Sequence, residues 1–117
     1  MGTLSNLKQQ KMRTLNQIAK EYASELYDAC LADDLNGYFD NVLDYRIVID
    51  KYGCYQGCQL LMAYGGPTVW INTDFNEIRV IWGGCEGHCA LLSDRAQILN
   101  LYLKDFFEAT KEIMLNK

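Results

Sequence analysis

Two pairs of cysteines with the same spacing are the residues in this sequence best able to do chemistry. Three residues separate Cys54 from Cys58, and three separate Cys85 from Cys89, with His88 inside the second pair. Four thiolates in two close pairs are a donor set that a tetrahedral Zn²⁺ site uses, and gaps of about two to four residues are typical. The sequence therefore predicts a structural Zn²⁺ ion held by the four cysteines, with His88 as an alternative ligand.

The position of the pairs along the chain leaves other arrangements open. In an up-and-down meander the two pairs lie at opposite ends of the sheet, and a strand of about seven residues spans roughly 23 Å. The alternatives are a site of Cys85, His88 and Cys89 completed by a further donor such as Cys30, or a metal that bridges two chains. If no metal binds, the cysteines are either inert buried thiols or a pair that forms a reversible disulfide.

Cysteine usage and the N-terminal sequence indicate the compartment. Five cysteines cannot all pair within one chain, which argues against a complete set of disulfides. The N-terminal residues lack the basic and then apolar pattern of a secretion signal, and no run of about 18 apolar residues is present. We therefore expect a cytoplasmic protein with reduced thiols and no membrane contact.

A small α+β fold is predicted to position these residues. The chain has 117 residues, half of them hydrophobic, which suits a single domain over residues 1–117. Apolar residues recur at spacings of about three and four over residues 5–33 and 93–114, which predicts a long N-terminal helix and a C-terminal helix. Alternating and β-branched runs between them predict a four-stranded antiparallel sheet. The strands are placed at residues 45–50, 58–64, 68–73 and 78–82.

Glycine-containing turns set the limits of these elements. Asn36-Gly37 is a candidate C-terminal cap for the first helix. Gly65-Gly66-Pro67 is expected to reverse the chain between the second and third strands. Gly83-Gly84 is taken to end the fourth strand, which assigns residues 85–89 to a loop before the last helix. Both helices are expected to pack on one face of the sheet.

Charge is distributed unevenly along the chain. The formal net charge is −4, yet residues 1–20 carry four basic and no acidic side chains, whereas residues 21–50 carry eight acidic side chains against Arg46 alone. An acidic segment disfavours direct binding of nucleic acid, which requires basic surface. It favours a basic protein partner. The residues expected to contact that partner are Glu21, Glu25, Asp28, Asp33 and Asp34.

The sequence contains no arrangement that predicts catalysis. His88 is the single histidine, and a general base needs a nucleophile and an orienting acid nearby. The glycine pairs lack the spacing and the following Lys-Ser/Thr of a phosphate-binding loop. We therefore predict a protein that is not an enzyme.

The stretch Tyr64-Gly-Gly-Pro-Thr-Val-Trp-Ile-Asn-Thr73, followed by Val80-Ile-Trp-Gly83, resembles a family of small phage and prophage proteins. The pattern of that family is Gly-Gly-Pro, a short strand that ends in Asn/Asp-Thr, and a strand that ends in Trp-Gly. An acidic N-terminal helix and a C-terminal helix frame the pattern. The resemblance covers roughly residues 42–107.

Within that class, the paired cysteines, the size and the acidic character resemble a zinc-containing type II-A anti-CRISPR protein. The resemblance implies stoichiometric binding to the RNA-guided DNA nuclease of a type II-A system in the host cytoplasm, which blocks loading of target DNA. Because family members commonly lack the cysteines, it also implies a fold that stands without metal. The alternative is a zinc-stabilised phage regulatory or assembly protein with a different protein partner. We expect a monomer or a small homo-oligomer.

Overall fold

The computed structural model describes the backbone of residues 3–115 and the side chains of residues 7–111. It has the α+β class that the sequence predicts, with three helices and five strands in the described part of the chain. In chain order these are α1 (Thr3–Leu31), α2 (Leu35–Phe39), β1 (Asp44–Ile49), β2 (Tyr55–Ala63), β3 (Thr68–Asn72), β4 (Glu77–Trp82), β5 (Cys85–Ala90) and α3 (Ser93–Leu115).

The first helix ends earlier than predicted, and Asn36-Gly37 is not its cap. After Leu31 the chain reverses at Asp33, whose φ of 52° lies in the left-handed region. Aspartate is one of the few residues that adopts this conformation readily. Asp34 then caps the short helix α2, because its carboxylate accepts a hydrogen bond from the Gly37 N–H at 3.2 Å. The predicted cap lies inside α2 for this reason.

The last helix begins at Ser93, as predicted, and carries Asp94 in its first turn. A carboxylate at this position interacts favourably with the helix dipole. α3 contacts β2, whereas α1 contacts β4 and β5. Within the described residues, neither long helix combines the length and the apolar composition that crossing a membrane requires.

The sheet is antiparallel and its strands follow chain order from β1 to β5. The predicted number of four strands is therefore one too few. Gly83 and Gly84 have φ values of 59° and 77°, which suit a two-residue hairpin turn of type I′. They join β4 to a further strand, β5, so the segment assigned to a loop is part of the sheet.

The helices cover one face of the sheet, and the core lies between the two layers. Each of its central side chains is at most 2% exposed. The central residues are Leu15, Ala19 and Leu26 of α1, Leu60 of β2, Val69 and Ile71 of β3, Ile78 and Val80 of β4, and Leu99 and Leu103 of α3. On the opposite face the Arg46 guanidinium lies 5.1 Å from the centre of the Trp70 ring.

α1 approaches the sheet most closely at Gly87 in β5. A Cβ atom built on Gly87 would lie 2.4 Å from both the carbonyl carbon and the Cβ of Leu15. At the same place the Asn16 side-chain oxygen accepts a hydrogen bond from the His88 N–H at 2.8 Å. The helix therefore packs on this edge strand and satisfies a donor that the strand would otherwise leave unpaired.

We predict that Gly87→Ala lowers the free energy of unfolding by about 3 kcal/mol or more, because the new methyl group must displace the backbone of α1. Urea denaturation followed by circular dichroism measures the change. Ala90→Val is the matched control on the same strand, because Ala90 is exposed. It adds more atoms yet should change the stability by less than about 0.5 kcal/mol. Equal stability of Gly87→Ala and the wild type would contradict the close approach.

Candidate functional site

The structure does not bring the four predicted zinc ligands together. Cys54 lies in the turn before β2 and Cys58 lies within β2, whereas Cys85 and Cys89 both lie in β5. β3 and β4 separate these strands, so β2 and β5 are about 14 Å apart at roughly 4.8 Å per strand. Thiolates on one Zn²⁺ lie about 2.3 Å from the ion. The four cysteines therefore do not fit one tetrahedral site within one chain.

The alternative set within the second pair does not converge either. Cys85 and Cys89 are four residues apart in an extended strand, which separates them by roughly 13 Å. They share the helix-covered side of β5, whereas His88 points to the opposite side and its side chain is 47% exposed. Cys30, named as a further donor, lies in the last turn of α1.

No group of three or more His, Cys, Asp or Glu side chains among the described residues is placed to hold a metal ion. One of the predicted arrangements, a metal that bridges two chains, does not require the ligands of a single chain to lie close together. Zinc binding therefore stays a prediction, and the exposed Cys54 is the thiol best placed for such a bridge.

The five cysteines are free thiols in very different surroundings. Cys58 is fully buried, and burial raises the pKa of its thiol above the usual value. Hydrogen bonds with Thr73 and Tyr55 act in the opposite direction. Burial likewise raises the pKa of Cys30. Because the thiolate is the reactive form, both residues are less reactive at neutral pH than ordinary cysteines.

Cys58 belongs to a polar network that joins α3 to the sheet. The Thr73 hydroxyl donates to Asn100 Oδ1 at 2.6 Å and accepts the Cys58 N–H at 2.9 Å. The Tyr55 hydroxyl donates to the same Asn100 oxygen at 2.7 Å. Burial raises the pKa of Tyr55 well above its usual value. The network fixes α3 against β2, and sequence reasoning missed it because its members are far apart along the chain.

The five residues predicted to contact a partner lie on α1 and in the turn that follows it, and we call them together the acidic surface. Glu21, Glu25 and Asp28 lie on one side of α1 because residues four and three apart are neighbours on a helix. Asp33 and Asp34 follow directly after the end of that helix. All five are exposed, and none forms an ion pair with a described side chain. Their charge is therefore available to a partner.

Tyrosines lie beside and beneath the acidic surface. Burial raises the pKa of Tyr22, and the nearby carboxylates of Glu25 and Glu21 raise it further. The same effects of burial and of Glu25 raise the pKa of Tyr38, whose hydroxyl is buried without a hydrogen-bond partner among the described residues. The half-buried Tyr22 gives the surface an aromatic component next to its carboxylates. Carboxylates and aromatic rings together suit the guanidinium and ammonium groups of a basic partner.

His88 takes part in a separate network on the uncovered face of the sheet. Its Nδ1 lies 3.5 Å from Glu77 and its Nε2 lies 3.5 Å from Glu86. Glu86 also pairs with the Arg79 guanidinium at 2.8 Å. The two carboxylates lie next to different nitrogens of the imidazole ring. The three side chains therefore do not surround a common point where a metal ion or a substrate atom could bind. The arrangement is an exposed ion network with no nucleophile in it.

Comparison of the chain with protein-family models, with curated proteins and with solved structures finds no match. The family resemblance therefore depends on the motif residues alone. In the structure the Gly65-Gly66-Pro67 part of the motif forms the β2–β3 turn, and its Trp82 ends β4.

We predict that, in the folded protein treated with a chelator, Cys54 reacts with iodoacetamide at least about tenfold faster than Cys58 at neutral pH. Cys54 is exposed, whereas Cys58 is buried with a raised pKa, so little of it is thiolate. A short reaction, a second isotopic label after unfolding and peptide mass spectrometry measure the two rates.

The same experiment with and without a chelator tests the bridging metal. Protection of Cys54 that a chelator removes, together with zinc in the purified protein, is the result expected for zinc bound between two chains. Fast labelling of Cys54 in protein free of zinc would contradict the metal prediction. Equal labelling rates of the two cysteines in the chelated protein would contradict the burial of Cys58.

Proposed function

We propose that the protein is a non-catalytic inhibitor that binds a basic surface of a protein partner through its acidic surface. The observation that carries the proposal is a set of five exposed carboxylates, three of them on one side of α1, that form no ion pair with a described side chain. The family resemblance suggests the RNA-guided DNA nuclease of a type II-A CRISPR system as the partner. The proposed inhibitor catalyses no reaction, since it would inhibit by occupying the basic surface of its partner.

The electrostatics of such a nuclease suit this mode of binding. Its nucleic-acid channels are strongly basic because they hold a heteroduplex and a displaced strand by their backbones. Carboxylates that occupy those basic groups compete with the phosphates of target DNA, which would block DNA loading. Electrostatic complementarity of this kind speeds association and weakens as salt screens the charges.

The scaffold supports the proposal because it holds the acidic surface in a fixed position. Ala23 and Leu26 lie on the opposite side of the same stretch of α1 and are buried in the core. Asp34 is held in place as the cap of α2. A surface that is ordered before binding loses less conformational entropy when the complex forms.

We predict that the double variant Glu25→Lys/Asp28→Lys weakens inhibition of target-DNA cleavage by about tenfold or more, because it reverses two charges at the centre of the acidic surface. The measurement is a titration of the protein into a cleavage assay with a guide-loaded type II-A nuclease.

The matched control is Asp105→Lys/Glu108→Lys on α3. Both residues are exposed, they have the same helical spacing, and the change in net charge is identical. The control should inhibit like the wild type. Equal loss of inhibition in both variants would show that net charge matters and the acidic surface does not. Failure of the wild type to inhibit at any excess would overturn the choice of partner.

A further inference from the structure

The two edges of the sheet are treated differently. At the β5 edge, α1 packs against the strand and Asn16 accepts the outward N–H of His88. At the β1 edge, β2 is the only described element in extensive contact with the strand. Asp44, Tyr45, Arg46 and Ile49 of β1 are all exposed. An edge strand of this kind is a template for pairing with another strand.

The direction of the free backbone groups on β1 follows from the register. The Thr73 N–H donates to the Cys58 carbonyl at 2.9 Å, so the backbone of Cys58 faces β3. Backbone groups alternate along an antiparallel strand. The next residue of β2 therefore faces β1, where it pairs with Arg46. The N–H and carbonyl groups of Tyr45 and Ile47 consequently face away from the sheet.

We propose that β1 pairs with β1 of a second copy of this chain, antiparallel and centred on Tyr45. The two five-stranded sheets then form one continuous sheet across a two-fold axis. Such an interface is isologous, since the same strand contributes from both copies.

The charges of β1 select this register. In this register Tyr45 lies opposite Tyr45 of the second copy, and Asp44 lies opposite Arg46 of the second copy. The two-fold axis generates a second, identical pair of Arg46 and Asp44. Two other registers, each shifted by two residues, also pair the outward backbone groups of the two strands. One is centred on Arg46 and the other on Asp44. Each of them places two like charges directly opposite, which is destabilising in a sheet. The register centred on Tyr45 instead contains two pairs of opposite charge.

The apolar side chains of β1 support the same pairing. Leu43 directly precedes β1 and donates its N–H to the Leu61 carbonyl of β2. In this register it comes opposite Ile47 of the second copy, and it is 62% exposed in the single chain. The Tyr45 ring contacts the exposed Phe106 of α3 edge-on, with ring centres 5.9 Å apart. A second copy covers the open apolar groove beside this edge. The lining of that groove includes Leu43, Tyr45, Tyr102 and Phe106, together with one charged residue, Asp44.

The groups that must change partners are exposed. The Tyr45 N–H donates to the Asp44 carboxylate at 2.8 Å in the single chain. On pairing, that N–H passes to the Tyr45 carbonyl of the second copy, and the carboxylate turns to the opposite arginine. The Arg46 guanidinium lies over Trp70 of β3, on the inner side of the edge strand, and on pairing it turns outward to meet that carboxylate.

Sedimentation velocity of the full chain over a range of concentrations tests the proposal. The wild type should form a dimer. Arg46→Asp places aspartates opposite each other, and Asp44→Arg does the same with arginines. Each single variant should raise the dimer dissociation constant by about tenfold or more.

A second set of variants tests whether the weaker dimerisation comes from the like charges or from a damaged fold. A mixture of the two single variants should form a heterodimer, because each aspartate then meets an arginine. The double variant Asp44→Arg/Arg46→Asp should form a homodimer again. A wild type that is monomeric at every concentration would overturn the proposal. A dimer that neither single variant weakens, or one that mixing and the double variant fail to restore, would overturn it as well.

Discussion

The backbone of α1 lies directly against Gly87, and much of the structure depends on this approach. Glycine is the residue that allows it, since any side chain at this position meets the helix backbone. The approach brings Asn16 to the edge of β5 and seats Leu15 in the core. It also fixes the rotation of α1, so that Glu21, Glu25 and Asp28 turn towards solvent.

The same glycine explains why residues 85–89 were predicted to be a loop. Glycine weakens a strand and offers no side chain to pack, so a run of Cys, Glu, Gly, His and Cys has the composition of a ligand-binding loop. The reason for glycine there lies in α1, far away in sequence. Gly83-Gly84 was the local sign available, because a two-residue glycine turn after a strand is typical of a hairpin.

The sequence was a better guide to the helices and the acidic surface than to the cysteines. Helical periodicity predicts α1 and α3 to within about two residues of their observed ends, although the predicted cap of α1 was wrong, and the exposure of Glu25 and Asp28 follows from the same period. The spacing of the cysteines is a weaker guide, because equal spacing within the two cysteine pairs does not reveal how many strands separate one pair from the other. The network of Thr73, Asn100 and Tyr55 had no local pattern at all, since each member comes from a different element.

The packing of α1 on β5 has a consequence for how the chain reaches its native state. α1 precedes β5 in the chain with four other strands between them, so the helix leaves the ribosome well before the strand on which it packs. Contacts between distant parts of a sequence slow folding because the chain loses much entropy before they form. During synthesis the apolar side of α1, with Ala19 and Leu26, has no sheet to bury it. The nascent chain therefore exposes an amphipathic helix to chaperones until β5 has left the exit tunnel.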